Sequence, residues 1–470
     1  MIFMFEKNQH INFTTSQAKY GGQPRNFTES LDTAGTHEGA MSRYDVSPVV
    51  GTIQRRWMLG DKFKNVNFSD VVCMSLQEYP TQLNYVISVG VNHSPEDWTG
   101  SPITDSKYET RRSLFEDLNP KYLKDLQDNN ALLLIDQTHE GYTHENLFAW
   151  FYDNAANFGI CPSRIIYTTG DLNSYATHLK FADDLHLPSE ARMFVQPYAA
   201  FQWMIHANYT NEIYNRRAEK HTFADHVRYK TTNIDDIKVY NLLQKRPRGH
   251  RSWTWKSFFD RDLIDHGIVS TNRPENRHNF HFDDSPEISQ TEFDVLCADL
   301  PKMHGYDKPE LTGDFTSSTG GDFIQRINPE VMRHSFVSVI SEAMFGDKES
   351  RGQCFLSEKT FKPIVGHHPF IIIGNKGSIA HIKSMGYKTF DKWWDEGYDN
   401  LPTWERLAAI TDIVFALTQM SKQQLLDMYI EMQPVLEHNY KTLFSNCENM
   451  FGPQAVNIVQ YLRSKGASDA

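Results

Sequence analysis

The sequence predicts an α/β protein built from two doubly wound domains, and three observations carry that prediction. At 470 residues the chain is too long for one core and suits two or three domains. Short aliphatic and β-branched runs alternate with helix-length segments, which is the rhythm of parallel βαβ units. That rhythm stops in a charged stretch near residues 208–236 and then starts again.

Residues from about 8 to 45 are polar, rich in Gly, Ser, Thr, Asn and Gln, and carry no period. They predict a flexible or irregular arm over 1–48, with folded structure starting near Val50. Tyr85–Val91, Ala131–Ile135, Arg164–Thr168 and Met193–Gln196 have the length and composition of buried strands. Glu145–Phe158 and Ser174–Leu185 read as the helices between them. After the charged stretch, Lys238–Leu243, Ile268–Ser270, Ser335–Ile340 and Pro369–Ile373 are the second set of strands. Ser252–His266 reads as a helix capped by Gly267, and 271–329 as a long polar insertion. Trp404–Thr418 and Gln423–Leu443 carry apolar residues at three- and four-residue spacing. The predicted domains are therefore 49–215, a linker over 216–236, 237–420, and terminal helices over 421–470. Two Rossmann-type halves with a cleft between them and C-terminal helices describe the GT-B architecture. Open sheets of this kind bind ligands at the carboxyl ends of their strands.

Composition narrows the function classes. Hydrophobic residues at 40% and aromatics at 13% supply packed cores, which excludes global disorder. A net charge of −12 argues against a protein that coats nucleic acid by non-specific contact. The five cysteines are scattered with no CxxC pair, which predicts neither a disulfide framework nor a zinc site and suits a reducing compartment. With no signal pattern at Met1–Phe13 and no apolar run near ~20 residues, the chain is expected in the cytoplasm (of a host, if viral) with no membrane partner. Its oligomeric state is not legible.

Three constellations carry chemistry. In Ser335–Gly377, a buried strand leads to the acid Glu342, then to Phe355-Leu356-Ser357-Glu358-Lys359 at a helix start. A transferase using a nucleotide sugar needs a carboxylate for hydroxyls, a cation for the departing diphosphate, and helix amides facing phosphate. Glu358 beside Lys359 at such a junction can supply these, although an exposed Glu-Lys pair is the commoner outcome of that pattern alone. The second constellation is the loop Lys245-Arg246-Pro247-Arg248-Gly249-His250-Arg251, in which five of seven residues can be cationic. It opens at a helix N-terminus and suits a diphosphate; a solvated turn or a nucleic-acid contact is the rival. The third is Asp136–Tyr142 after the ALLLI strand. Glu140, Asp136 and His139 compete there for the general base that deprotonates an acceptor hydroxyl, against a plain polar loop.

The 335–378 segment resembles the donor-binding signature of the α1,3-fucosyltransferase family. In that signature an acid after a strand precedes aromatic-x-x-Glu-Lys, and a helix then leads to a strand ending in Gly. Phe355, Glu358, Lys359 and the HPFIIIG run fall in that order. Weaker echoes lie at 131–142 and 238–251. The chain is also similar to phage and marine-microbial proteins with the FLSEKTFKP…HPFIIIG…KTF…WWDE pattern. The family resemblance implies Phe355 against the base, Glu358 on the ribose, Lys359 on the phosphates, a phosphate-binding Arg among Arg246, Arg248 and Arg251, and Glu140 as base. Three features depart from the family: Phe355 replaces the usual Tyr, Ala343 stands where Asn usually follows the acid, and Gly141-Tyr142 follow Glu140 where the family has a Glu-x-Pro context.

The resulting expectation is an inverting, metal-independent transfer from a nucleoside-diphosphate sugar, of GDP-fucose type by resemblance. The acceptor would be a glycan, a protein or a modified DNA base. A phage-type enzyme glycosylating modified DNA bases and a catalytically degenerate binding or structural protein stay open beside it. Lesser signals take bland readings. Gly374–Ser378 lacks the spacing of a phosphate-binding P-loop. Asp260-Arg261-Asp262 lies in a helix rather than after a strand, His278, His281 and Asp283 lack a rigid frame, and Trp393 and Trp394 suit core packing.

Overall fold

A computed structural model describes residues 2–5, 72–75, 85–90, 115, 120–138, 141, 143, 145–202, 205, 234–244, 248–271, 274–299, 329–449, 457, 461 and 464. The chain divides into two compact units. Unit 1 takes Met1–Ala200 and Asn449–Ala470, and unit 2 takes Phe201–Glu448.

Unit 1 holds the strands β1 (Ile2–Phe5), β2 (Val72–Ser75), β3 (Tyr85–Gly90), β4 (Ala131–Gln137), β5 (Ile165–Thr169) and β6 (Phe194–Pro197). Its helices are α1 (Pro120–Gln127), α2 (Glu145–Asn157) and α3 (Ser174–Asp184). All strand pairs are parallel, in the order β2-β1-β3-β4-β5-β6. Ala131 to Ile135 are fully buried, as a parallel strand covered on both faces requires. Each such leucine or isoleucine contributes roughly 1.5–3 kcal/mol by leaving water. Phe148 and Phe151 of α2 pack on Tyr167 of β5 and close that core. Beyond residue 449 the chain rejoins this unit. Tyr461 stacks on Phe194 at 4.5 Å and donates to the Ser163 carbonyl at 2.7 Å.

Unit 2 holds β7 (Lys238–Leu243), β8 (Gly267–Ser270), β9 (Ser335–Ser341) and β10 (Phe370–Ile373), parallel in the order β10-β9-β7-β8. Its helices are α4 (Gly249–Phe259), α5 (Gln290–Asp299), α6 (Pro329–Arg333), α7 (Asp347–Ser350), α8 (Glu358–Val365), α9 (Ser378–Ser384), α10 (Thr403–Thr418) and α11 (Lys422–Asn449). From β7 the winding goes first to β8 and then back across β7 to β9. The strand order thus reverses between β7 and β9, and their carboxyl ends frame the topological switch point.

The two parallel α/β sheets are the fold class expected. Several details differ. Ile2–Phe5 is a strand, so folded structure begins ahead of Val50 and inside the stretch read as an arm, and Val72–Ser75 is a further strand ahead of Tyr85. The helix after β7 spans Gly249–Phe259, not Ser252–His266, because Asp262 takes a left-handed φ of 56° and turns the chain. Gly267 does not cap it. It opens β8 at a φ of −118°, and a Cβ there would land in the Tyr240 ring, so the glycine serves close packing. The chain divides at Ala200, ahead of the boundary expected at 215, and 206–233 lie outside the described residues. Part of the supposed insertion is structured, as α5 and the 3₁₀ turn Arg277–Phe280.

A buried polar network crosses the unit 2 sheet. Asn241 Nδ2 donates to Ser335 and Ser338 Oγ at 2.9 and 3.0 Å. His368 Nε2 faces the Ser335 carbonyl at 2.7 Å, and its Nδ1 meets Ser338 Oγ at 2.8 Å. Burial depresses His368 to about 4, as it does His178 to about 4 and His250 to about 3. These values lie below the ordinary ~6.5 of the unfolded chain, so the unfolded state binds more protons between the two. Stability therefore falls as pH drops from about 6.5 toward 4, by up to about 1.4 kcal/mol per pH unit for each histidine. Thermal unfolding followed from pH 7 to 5 should show this slope, and His368→Gln should remove about one proton's share of it.

Candidate functional site

Every described strand of unit 2 runs parallel to its neighbours, so the loops that follow β7, β8, β9 and β10 start from one edge of the sheet. The centre of that edge is Glu342, the first residue after β9. Its amide donates to the Ile373 carbonyl at 2.9 Å, which ties it to the end of β10. Its side chain is fully buried. Oε1 accepts from the Ser357 amide at 3.1 Å and the Thr360 hydroxyl at 2.5 Å, and Oε2 accepts a short bond from the Ser357 hydroxyl. An ionised carboxylate in an apolar interior is held only by such a complete donor set. Gly374 packs closely at the end of β10: a Cβ there would stand 2.9 Å from both Ile372 Cγ2 and Ser378 Oγ, and in ordinary contact with Glu342 Cγ at 3.5 Å.

Ser357 is the N-cap of α8. Having given its hydroxyl proton to Glu342, its oxygen accepts from the Lys359 amide at 3.4 Å and from Lys359 Nζ at 3.2 Å. Lys359 Nζ also reaches Glu358 Oε1 at 2.8 Å. The Lys359 side chain stays 31% exposed while that of Glu358 is 10% exposed, so the lysine is the member of the pair that reaches the surface. Burial alone would push the Glu358 carboxyl up, but Lys359 and then Lys362 hold it below the usual range. Burial lowers Lys362 itself to about 8, with Glu358 opposing. Pro363 cannot donate within α8, and the helix ends at Val365.

The loop after β9 is fastened from the other side by cations. Arg251 Nη2 donates to the carbonyls of Ser341 and Glu342 at 3.4 and 3.1 Å. Arg248 Nη1 donates to the Ala343 carbonyl at 2.6 Å, and His250 Nε2 meets the Glu342 carbonyl at 3.0 Å. From α10, the buried Arg406 donates to the Phe345 carbonyl at 2.6 Å and pairs with Asp347 at 3.0 Å. Gly249 starts α4 and Arg248 is its N-cap, so the cations enter at that helix's N-terminus.

The structure thus brings Arg248, Arg251, Glu342, Phe355, Glu358 and Lys359 to one strand-end cluster. Phe355 is buried, edge-on to Phe201 at 5.7 Å, and its amide donates to Asn375 Oδ1 at 3.2 Å. Arg246 lies outside the described residues, as do His139 and Glu140. Asp136 lies within β4, paired with Gly90 and Thr168, rather than in the loop expected to begin there. Sequence reasoning missed Thr360 and Arg406 as parts of this edge; it counted His250 as one of the loop's possible cations, whereas burial holds it neutral, and passed over Asn375 as part of a plain turn. Thr360 had a local signal, one turn from the Ser357 cap.

Other candidates resolve to structure. The first turn of α9 is occupied by Asp399, which accepts from Ile379 and Ala380 amides at 3.0 and 3.1 Å, so Gly374–Ser378 is a strand-to-helix turn. Asp260 pairs with Lys256, and Arg261 with Asp412, at the surface. Asp283 accepts from the Lys348 amide and from Thr403, and among the described residues no group of three His, Cys, Asp or Glu is placed to hold a metal. Trp394 is buried against Phe390 at 5.2 Å. No helix among the described residues is long and apolar enough to cross a membrane.

No family model and no curated protein matches the chain. Among solved structures it is similar to an α,α-trehalose 6-phosphate synthase from Burkholderia multivorans, at 10% identity over 91% of this chain and 77% of that one, with a TM-score of 0.38. It is similar also to the N-terminal domain of Candida albicans trehalose-6-phosphate phosphatase, at 8% identity, 99% and 89% coverage and a TM-score of 0.40. An α1,3-fucosyltransferase gives 12% identity, 90% and 88% coverage and a TM-score of 0.38. These are similarities of overall trace at low identity.

Ser357→Ala removes one hydroxyl donor from a buried carboxylate and an N-cap at once. A loss of about 2–3 kcal/mol is expected in urea unfolding, whereas Ser384→Ala, at the exposed end of α9, should be nearly neutral.

Proposed function

We propose that the chain is a glycosyltransferase that takes its sugar from a nucleoside diphosphate bound at the carboxyl edge of the unit 2 sheet. The observation that carries this reading is Lys359. It is a partly exposed lysine at the N-terminus of α8, its ammonium braced by Ser357 and Glu358, with Arg248 and Arg251 on the same strand-end cluster. A departing diphosphate needs cations and helix amides held in advance of the reaction. Here the Glu342 donor set and the arginine-to-carbonyl bonds do that holding.

In this reading Lys359, with an Arg of the 246–251 loop, neutralises the leaving diphosphate without calling on a metal. Glu358 hydrogen-bonds the ribose, and Phe355 flanks the base. The transfer inverts the anomeric centre, with Glu140 as the base that deprotonates the acceptor hydroxyl and Asp136 and His139 as its neighbours in sequence. A GDP-fucose-type donor follows from the resemblance of the 335–378 segment.

Initial rates with a panel of nucleoside-diphosphate sugars test it. Lys359→Ala should lower kcat/KM by about a hundredfold or more, as losing an electrostatic stabiliser does. Glu140→Gln should reduce kcat with little change in donor affinity. Wild-type protein that neither binds nor turns over any member of the panel would sink the proposal.

A further inference from the structure

Among the described residues of unit 2, the serine, asparagine and glutamine side chains that keep a buried oxygen or nitrogen without a hydrogen-bond partner are Gln202, Gln244, Ser252, Ser270, Ser341 and Asn375. All are at least 96% buried. Buried neutral groups are normally satisfied, so each of these calls for an explanation. Their placement supplies one. Gln244 follows β7, Ser270 closes β8, Ser341 closes β9, Asn375 stands just past β10, and Ser252 ends the first turn of α4. Five of the six therefore lie along the carboxyl edge.

Three of them share the switch point. The β7–β9 register pairs Tyr240 with Val337 and Asn241 with Ser338, and the same offset sets Gln244 level with Ser341. Neighbouring strands run ~4.7–4.9 Å apart. Helix α4 covers this face: Tyr240, on the same side of β7 as Gln244, packs edge-on against Phe258, and Arg251 reaches the Ser341 carbonyl. Ser252 is among the buried residues of α4, as are Trp255 and Phe258, the last of which packs on Tyr240.

The chemistry of this set is uncharged. An amide and two hydroxyls offer both donors and acceptors. The nearby charges face protein groups: Glu342 takes Ser357 and Thr360, and Arg248 and Arg251 each hold a carbonyl. We propose that the β7/β9 crevice holds the neutral, hydrogen-bonding part of the donor, its sugar hydroxyls or its base edge, with Gln244, Ser252 and Ser341 as specificity determinants. This rests on the donor reading given above. A sugar carrying its own carboxylate would bring an unpaired charge into the crevice and be rejected.

A side chain kept unpartnered for a ligand leaves a signature that a structural one does not. Replacing it with an apolar group of similar shape leaves the free protein as stable or more so, yet weakens the ligand. The test is thermal shift and titration of wild type, Ser252→Ala, Ser341→Ala and the double variant. The probes are GDP, UDP, ADP and TDP, their neutral-hexose conjugates and a hexuronate conjugate. The variants should melt at or above the wild-type temperature without ligand. If the sugar occupies the crevice, plain diphosphates should bind the variants as they bind wild type, while Kd for the neutral conjugate rises about tenfold per hydroxyl removed. If the base occupies it, the variants should lose discrimination among the plain diphosphates instead. Variants that melt lower without ligand, or that bind every probe as wild type does, would overturn the assignment alone. A wild type that responds to no diphosphate would overturn the donor reading and this assignment with it.

Discussion

One buried carboxylate organises the carboxyl edge of unit 2. Glu342 sits at the end of β9 with no exposure to water, and its two oxygens gather the Ser357 amide, the Ser357 hydroxyl and the Thr360 hydroxyl. A buried charge cannot be left half satisfied, because the cost of an unpaired one far exceeds the gain from any single bond. The start of α8 must therefore close onto β9, and it carries Lys359 to the surface as it does so. The backbone around Glu342 is gripped in turn by Arg248, His250, Arg251 and Arg406, which occupy carbonyls from Ser341 to Phe345. Cation and loop are thus fixed before any ligand arrives, which is the condition for electrostatic stabilisation of a leaving group.

Much of this fold is legible in the sequence for a simple reason. Parallel strands buried on both faces are near-continuous apolar runs, and SFVSVI, FIII and ALLLI stand out against polar surroundings. The terminal helices show their 3.6-residue period. Ile2–Phe5 and Val72–Ser75 did not stand out, because four-residue strands without a following helical pattern look like any short apolar run. Asp136 and Gln137 read as loop from their polarity, yet they extend β4 beside Thr168 and Thr169, where the sheet edge is itself polar.

The site was legible in part, and the limit is again physical. Glu342, Ser357, Glu358 and Lys359 lie within a short span, so a local pattern could flag them. The groups that hold the loop come from residues some ninety positions upstream or sixty downstream, as with Arg251 and Arg406. Bonds to backbone carbonyls leave no mark on the residue type at the accepting end. Ala343 and Phe345 could be many residues and still accept. Asp399 shows the converse: without it, Gly374–Ser378 looks like an open anion-binding turn, and with it the α9 amides are taken.

The central claim is that the strand-end cluster around Glu342 and Lys359 is where a nucleoside diphosphate binds. Amide hydrogen exchange of the whole chain, with and without saturating nucleoside diphosphate, tests it most directly. The account predicts added protection confined to 248–252, 341–345 and 355–360, which Lys359→Ala weakens. Binding that leaves those three segments unchanged and protects residues elsewhere would contradict it.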